Sequence, residues 1–398
     1  MHHLWRLTLP LRPEVSVVSM ARTPWPPTLT RPPQVATITQ SVTTRGDVRT
    51  GRENCPMTSK ALALRRLGRT AVETSPLGLG GAPIGGFRYA LSEQQGADTV
   101  SAACAAGLSY FDTSPFYGYG RSELLFGHAL RSRPRDSFVL STKVGRWMAP
   151  LNDGETLPGW RAGGLPFKPT FDYSRDGTLR SLEQSLLRLG LARIDVVLIH
   201  DVDVVSQGSQ AEADRRFKEA MAGCYPTLVE LRRAGVIRAI GTGLNETEMT
   251  LRFAREADLD CVMLAGRYTL LEQGALDELL PLCEQKGMSM LLAAPFNSGI
   301  LAMGASEGAT YDYKPAPPPI MDKVRRIAAV CRRHGIELGT AALQFPLAHP
   351  RLASIVAGAT KPAEVAENVA RMAVRIPSDL WRELKHEGLL AEAAPVPA

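Results

Sequence analysis

The chain has 398 residues, 44% of them hydrophobic and 22% charged, a composition that excludes a disordered or fibrous protein. No run reaches the roughly 18 uninterrupted apolar residues of a membrane-spanning helix, so no membrane partner is expected. The net charge of +6 is uneven: residues 1–56 hold seven arginines, no lysine and three acids, leaving a nearly neutral body without the basic stripe of a nucleic-acid surface.

Residues 1–56 are dense in Pro and Arg and lack sustained periodicity. They read as a disordered N-terminal extension or as a mis-assigned start, with Met57 opening the folded domain over 57–398. An Arg-rich, acid-poor transit peptide is the second reading. The cysteines (Cys55, Cys104, Cys224, Cys261, Cys283 and Cys331) form no C-x-x-C pair and no metal-ligand spacing. No metal site and a reducing, cytoplasmic setting are expected.

From Leu77 onward, short apolar runs alternate with helix-length segments. The expected strands are LGLG (77–80), LSYFD (108–112), SFVLSTK (137–143), IDVVLIH (194–200), VIRAIGTG (236–243), DCVMLAG (260–266), MSMLLAAP (288–295) and LASIVAG (352–358). Between them, Leu179, Leu182, Leu186 and Leu189 recur at helical spacing. Val324, Ile327, Ala328 and Cys331 do the same ahead of Gly335, a candidate C-cap. Eight strands alternating with helices imply parallel βαβ units, and eight such units close into a (β/α)8 TIM barrel. The Gly- and Pro-rich stretch 145–177 reads as a long loop over the barrel's C-terminal face, where such folds do chemistry.

Three consecutive expected strands end in Asp112, Lys143 and His200, and Tyr117 lies just after the first of them. Each alone is ordinary, since an Asp often caps a helix and a Tyr or His often packs. Together they form a coherent set. A phenol titrating near 10 is a poor acid–base at neutral pH. An ammonium beside it favours phenolate, a carboxylate can hold the ammonium, and an imidazole can orient a substrate oxygen. The set suits proton exchange with a carbonyl or alcohol oxygen, hydride passing to or from a nicotinamide.

At these residues the chain resembles the aldo-keto reductase superfamily, over about residues 70–375. The matching stretches are FDTSPFYGYGRSELLFGHAL, LSTKVG, RLGLARIDVVLIHD, GVIRAIGTGLNE and GATKPAEVAEN. The resemblance implies Tyr117 as general acid–base, Lys143 lowering its pKa, Asp112 pairing with Lys143 and His200 orienting the substrate. It also implies a nicotinamide cofactor held without a Rossmann domain, and GLGGAPIGG (78–86) lacks the G-x-G-x-x-G register in any case. GGLPFKPTFDYSRDGTLRSLEQSL, HDVDVVSQGS and VMLAGRYTLLEQGALDELLP are similar to a branch of aldose 1-dehydrogenases and pyridoxal 4-dehydrogenases. That branch implies oxidation of the anomeric C–OH of an aldose to a lactone. The alternatives are oxidation of pyridoxal to its lactone and, less favoured, a cofactor-sensing barrel without turnover.

Departures from the family pattern narrow the cofactor. The Ser-Asn pair after strand five reads Gly243-Leu244-Asn245, Ala265 stands where a Gln is frequent, and Tyr268 either stacks on the cofactor or packs. Gly299 and Leu301 match the loop over the pyrophosphate, and Glu367 and Asn368 match adenine contacts. Where NADP-preferring relatives carry basic and hydroxyl groups, this chain has Gly358, Ala359 and Glu364, with Lys361 nearby. A carboxylate there repels a 2′-phosphate and suits a free ribose hydroxyl, so NAD is expected, with NADP possible.

Overall fold

A computed structural model describes residues 63–86, 90–156 and 163–397. The extension expected over 1–56, and Trp160 in the long loop, lie outside the described residues.

Eight parallel strands close into a barrel: β1 (Leu77–Gly80), β2 (Tyr110–Asp112), β3 (Val139–Val144), β4 (Val196–His200), β5 (Ala239–Leu244), β6 (Cys261–Ala265), β7 (Ser289–Ala293) and β8 (Leu352–Gly358). They are the eight runs expected from the sequence, with ends shifted by at most three residues, and the fold is the (β/α)8 TIM barrel. Parallel strands need long crossovers, and amphipathic helices supply them. In the helix Arg175–Leu189, Ser174 accepts from Gly177 N–H at the start and Gly190 takes a left-handed φ of 61° at the end. Leu182 and Leu189 of that helix are buried against the strands, each worth about 1.5–3 kcal/mol. Among the described residues no helix is long and apolar enough to cross a membrane.

Side-chain alternation splits the barrel into two environments. Outward residues such as Phe111, Leu140, Val197, Ile199 and Ile240 pack under the helices. Inward residues near the N-terminal end, including Tyr110, Val139, Val196, Leu198, Ala239 and Met263, form an apolar plug. A short hairpin pairing Arg65–Arg66 with Glu73–Thr74 caps this end, its turn residues Leu67 and Val72 joining the plug. Nothing in the sequence reading anticipates this hairpin, because its paired segments are only two residues long.

The described part of the stretch 145–177 carries more regular structure than expected. It carries an antiparallel hairpin, Arg146–Pro150 paired with Phe167–Phe171, projecting from the end of β3. Gly145, with φ 104°, makes the bend; a Cβ there would lie 2.3 Å from the Tyr173 ring.

Candidate active site

The C-terminal ends of the strands replace the apolar plug with charge. Period-2 alternation makes Tyr110 and Asp112 of β2, Ser141 and Lys143 of β3, and Leu198 and His200 of β4 point inward in successive layers. Lys143 Nζ reaches both Asp112 oxygens (2.8 and 2.7 Å) and donates to the Thr113 carbonyl (2.9 Å). Below it, Tyr110 Oη donates to Ser141 Oγ, which donates to Asp112 Oδ1 at 2.7 Å. The partners of this buried ion pair are thus built into the two strands and the residue just after β2, which is the condition for tolerating charge in the interior.

Tyr117 lies in the loop after β2, half-buried, with Lys143 Nζ 4.8 Å from its ring centre and the His200 ring edge-on at 6.1 Å. The structure therefore gathers Asp112, Tyr117, Lys143 and His200 around one opening. Burial pushes the Tyr117 phenol well above its ordinary value, Asp112 and Asp201 push it further, and Arg146 pulls against them. The sequence reading expects the neighbouring ammonium to dominate; here burial and the two carboxylates outweigh Arg146, so the resting phenol keeps its proton. Burial, helped by Lys143 and Arg146, takes His200 down to about 3, leaving a neutral imidazole at physiological pH.

Two residues in contact with this set were given no role by the sequence. Arg146, from the first hairpin strand, donates to Asp201 Oδ2 at 2.7 Å. Its guanidinium stacks between Phe116, beside Tyr117, and Phe171 of the second hairpin strand, at 4.1 and 4.2 Å. Asp201 Oδ1 lies 3.4 Å from His200 Nε2 and accepts from Asn245 Nδ2 at 3.3 Å. Burial alone would raise the Asp201 carboxyl, but His200 and Arg146 outweigh it and hold it below its ordinary value. The sequence signal for the pair was thin: an acid directly after His200, and an arginine three residues beyond Lys143.

The cofactor candidates fall into groups. Gly243 of β5 leaves space between His200 and Lys143, since a Cβ there would lie 3.4 Å from Cδ2 of one and Cε of the other. Asn245, just past β5, spends its side-chain amide on Asp201, Asp203 and Ser206. Its carbonyl accepts from Arg267, which also grips both Asp312 oxygens at 3.0 and 2.8 Å. Gly299, with φ 98°, and the fully buried Leu301 form the turn after β7. Gly358 is exposed at the end of β8, against Pro83. In the helix Pro362–Ala373, Glu364 accepts from Thr360 N–H (2.7 Å) and Oγ1 (3.0 Å), while Glu367 and Asn368 both hold Arg371. Tyr268 stands apart. It is fully buried, edge-on to His349 at 5.8 Å and tilted against Phe345 at 5.6 Å, so of the two readings it packs and has no face for a cofactor.

The family model for the aldo/keto reductase family matches residues 76–386. The chain is 40% identical to a pyridoxal 4-dehydrogenase of Microbacterium luteolum, covering 83% of this chain and 99% of that one. It is 38% identical to a D-threo-aldose 1-dehydrogenase of a Pseudomonas species, covering 79% and 94%. An aldo-keto reductase structure from Bacillus halodurans shares the fold at a TM-score of 0.64 and 23% identity, over 84% of this chain and 98% of that one. With the barrel, the gathered strand-end residues and a family match across most of its length, this chain belongs to the aldo/keto reductase family, oxidoreductases that use nicotinamide cofactors.

Proposed function

We propose that the protein oxidises a cyclic hemiacetal to a lactone, the anomeric C–OH of an aldose being the first reading. The observation that carries it is the joint presence, at one opening, of a protonatable phenol, a neutral imidazole and a fully paired Lys143–Asp112 unit. A bound nicotinamide supplies the hydride acceptor. The chain's own residues manage the proton. His200, neutral and close to the opening, donates a hydrogen bond that orients the substrate oxygen. Once its resting proton has passed to solvent, Tyr117 as phenolate takes the hydroxyl proton during oxidation and, as phenol, returns it during reduction. Lys143 keeps a positive charge beside the ring, and Asp112 fixes that charge where it is needed.

For the cofactor, we propose Gly299, Leu301 and Gly358 as close-approach backbone, with Glu367 and Asn368 toward the adenine end and Asn245 toward the nicotinamide. Glu364, held by Thr360, presents its charge where a 2′-phosphate would arrive, which favours NAD over NADP; Lys361, with Nζ 3.9 Å from Glu364, only partly offsets it.

The reading for pyridoxal is favoured by the 40% identity to a pyridoxal 4-dehydrogenase. One mechanism serves both substrates, because each loses hydride from carbon and a proton to Tyr117. The test is reduced-nicotinamide formation by the purified protein with NAD or NADP, across L-fucose, D-arabinose, L-galactose and pyridoxal. Sugar turnover with NAD is expected. Turnover confined to pyridoxal moves the function to that substrate, and higher efficiency with NADP overturns the reading of Glu364. Tyr117→Phe should lose turnover by a factor of order 10²–10⁴ while still binding NAD; surviving turnover would overturn the proton-transfer role.

A further inference from the structure

His200 faces inward as the last residue of β4, and continued strand alternation would send the next side chain outward, away from the opening. Asp201 breaks the alternation with a left-handed φ of 55°. The conformation is firmly held. Tyr173 Oη donates to the carbonyls of both His200 (2.6 Å) and Asp201 (3.1 Å), Gln207 Nε2 donates to the Asp201 carbonyl (2.6 Å), and Asp201 N–H donates to Gly243. Two consecutive side chains consequently face the same opening, each with one-tenth of its surface exposed. A strained backbone held by this many bonds next to reactive groups is a sign of function.

We propose that Asp201 is a specificity-determining residue that accepts a hydrogen bond from the substrate hydroxyl on the carbon next to the one oxidised. The inference rests on the aldose reading above. His200 Nε2 and Asp201 Oδ1 lie 3.4 Å apart, a donor and an acceptor at nearly the spacing of the two oxygens of a vicinal diol. With the anomeric oxygen on His200, the adjacent hydroxyl falls to Asp201. An ionised carboxylate offers about four lone-pair positions. Arg146 takes one through Oδ2, Asn245 one through Oδ1 and the Ser206 hydroxyl a third, leaving one position for a ligand. Arg146 neutralises the carboxylate from the side away from His200 and is itself fixed between two rings, so the acceptor is oriented before substrate arrives. Pyridoxal has no hydroxyl on the carbon next to its reacting one, so its turnover has no need of this contact.

The experiment compares L-fucose with its 2-deoxy analogue, on the wild type and on Asp201→Asn. Asparagine tolerates the left-handed backbone, so the variant keeps the turn and loses the charge. Removing an electron-withdrawing hydroxyl makes the anomeric C–H easier to oxidise in itself, so chemistry alone predicts a faster 2-deoxy sugar. The proposal expects the reverse. Wild-type kcat/KM falls by at least ~10²-fold on the 2-deoxy sugar, because a site built to bond a hydroxyl rejects a substrate lacking it. In Asp201→Asn that ratio shrinks at least tenfold, mostly through loss on L-fucose. A purely structural Asp201 would lower both sugars by one factor and leave the ratio intact, which overturns the proposal, as does a wild type that treats the two sugars alike. If Asp201→Asn fails to fold because Arg146 is stranded, the same pair of ratios is measured in Arg146→Met and in Arg146→Met with Asp201→Asn. A wild type that oxidises pyridoxal and no sugar removes the aldose reading itself, an outcome separate from either of the others.

Discussion

The two ends of the barrel are built from the same eight strands by the same alternation, yet they hold opposite chemistry. At the N-terminal end the inward positions are Val139, Val196 and Ala239, sealed by Leu67 and Val72 from the capping hairpin. A few residues further along the same strands the inward positions become Asp112, Lys143 and His200. The described non-glycine residues with left-handed backbone, among them Tyr119, Asp201, Ala294, Asn297 and Ser298, all follow strand ends or lie in the loops beyond them. The floor concentrates transfer free energy, and the mouth concentrates paired charge and strain. Substitutions at the floor should therefore change stability and leave catalysis alone, whereas substitutions at the mouth should change both.

The largest effect is expected at Lys143, where the two roles meet. Lys143→Met leaves Asp112 as a buried carboxylate with Ser141 as its remaining side-chain partner, at a cost of about 3–5 kcal/mol. Turnover should fall by a factor of order 10²–10⁴. Adding Asp112→Asn removes the stranded charge, so the double variant should recover most of the stability and none of the turnover. Urea unfolding beside steady-state kinetics separates the two. Recovery of turnover in the double variant would show that Lys143 acts through folding alone.

Leu67→Ala is the counterpart at the floor. Leu67 is fully buried, and its truncation should cost about 2–5 kcal/mol. Both kcat and KM should stay within about twofold of wild type below the melting transition. A large change in KM would mean that the plug and the mouth are mechanically coupled, and the contrast between the ends would then be wrong.

That contrast also explains how much could be read from the sequence. Strand runs and the Asp112, Lys143 and His200 near their ends were legible because alternation is local: every second side chain of a barrel strand faces inward, and the last inward one borders the C-terminal face. The ion pair of Arg146 with Asp201 was not legible. It joins residues 55 apart, and it depends on a backbone angle at Asp201 that no apolar pattern encodes. The hairpin carrying Arg146 was read as irregular because Pro150, Pro166 and Pro169 mask its strand character, although prolines are admissible on an exposed edge. Tyr268 was left open between two readings for a related reason. The sequence puts the ring just beyond β6, but only the packing of Phe345 and His349 decides that it turns into the shell.

The smallest effect separates the ends through acid sensitivity, since the floor residues named above carry no group that titrates below neutral pH while His200 at the mouth does. His200 is held neutral down to about pH 3 in the folded chain, whereas in the unfolded chain it takes a proton near its ordinary value of 6.5. Between those values the unfolded state binds the extra proton, so folding stability falls as pH is lowered through that window and levels off below about 3. At pH 5 the loss from this one group is about 2 kcal/mol, one and a half units at 1.36 kcal/mol each. His200→Gln keeps a polar side chain and removes the titration. Urea unfolding free energies from pH 7 to pH 4.5 should then fall less steeply in the variant, the two curves diverging progressively below pH 6.5. Parallel curves would mean that the imidazole is already solvated in the folded protein, and the desolvated mouth on which the proton-transfer reading depends would have to be given up.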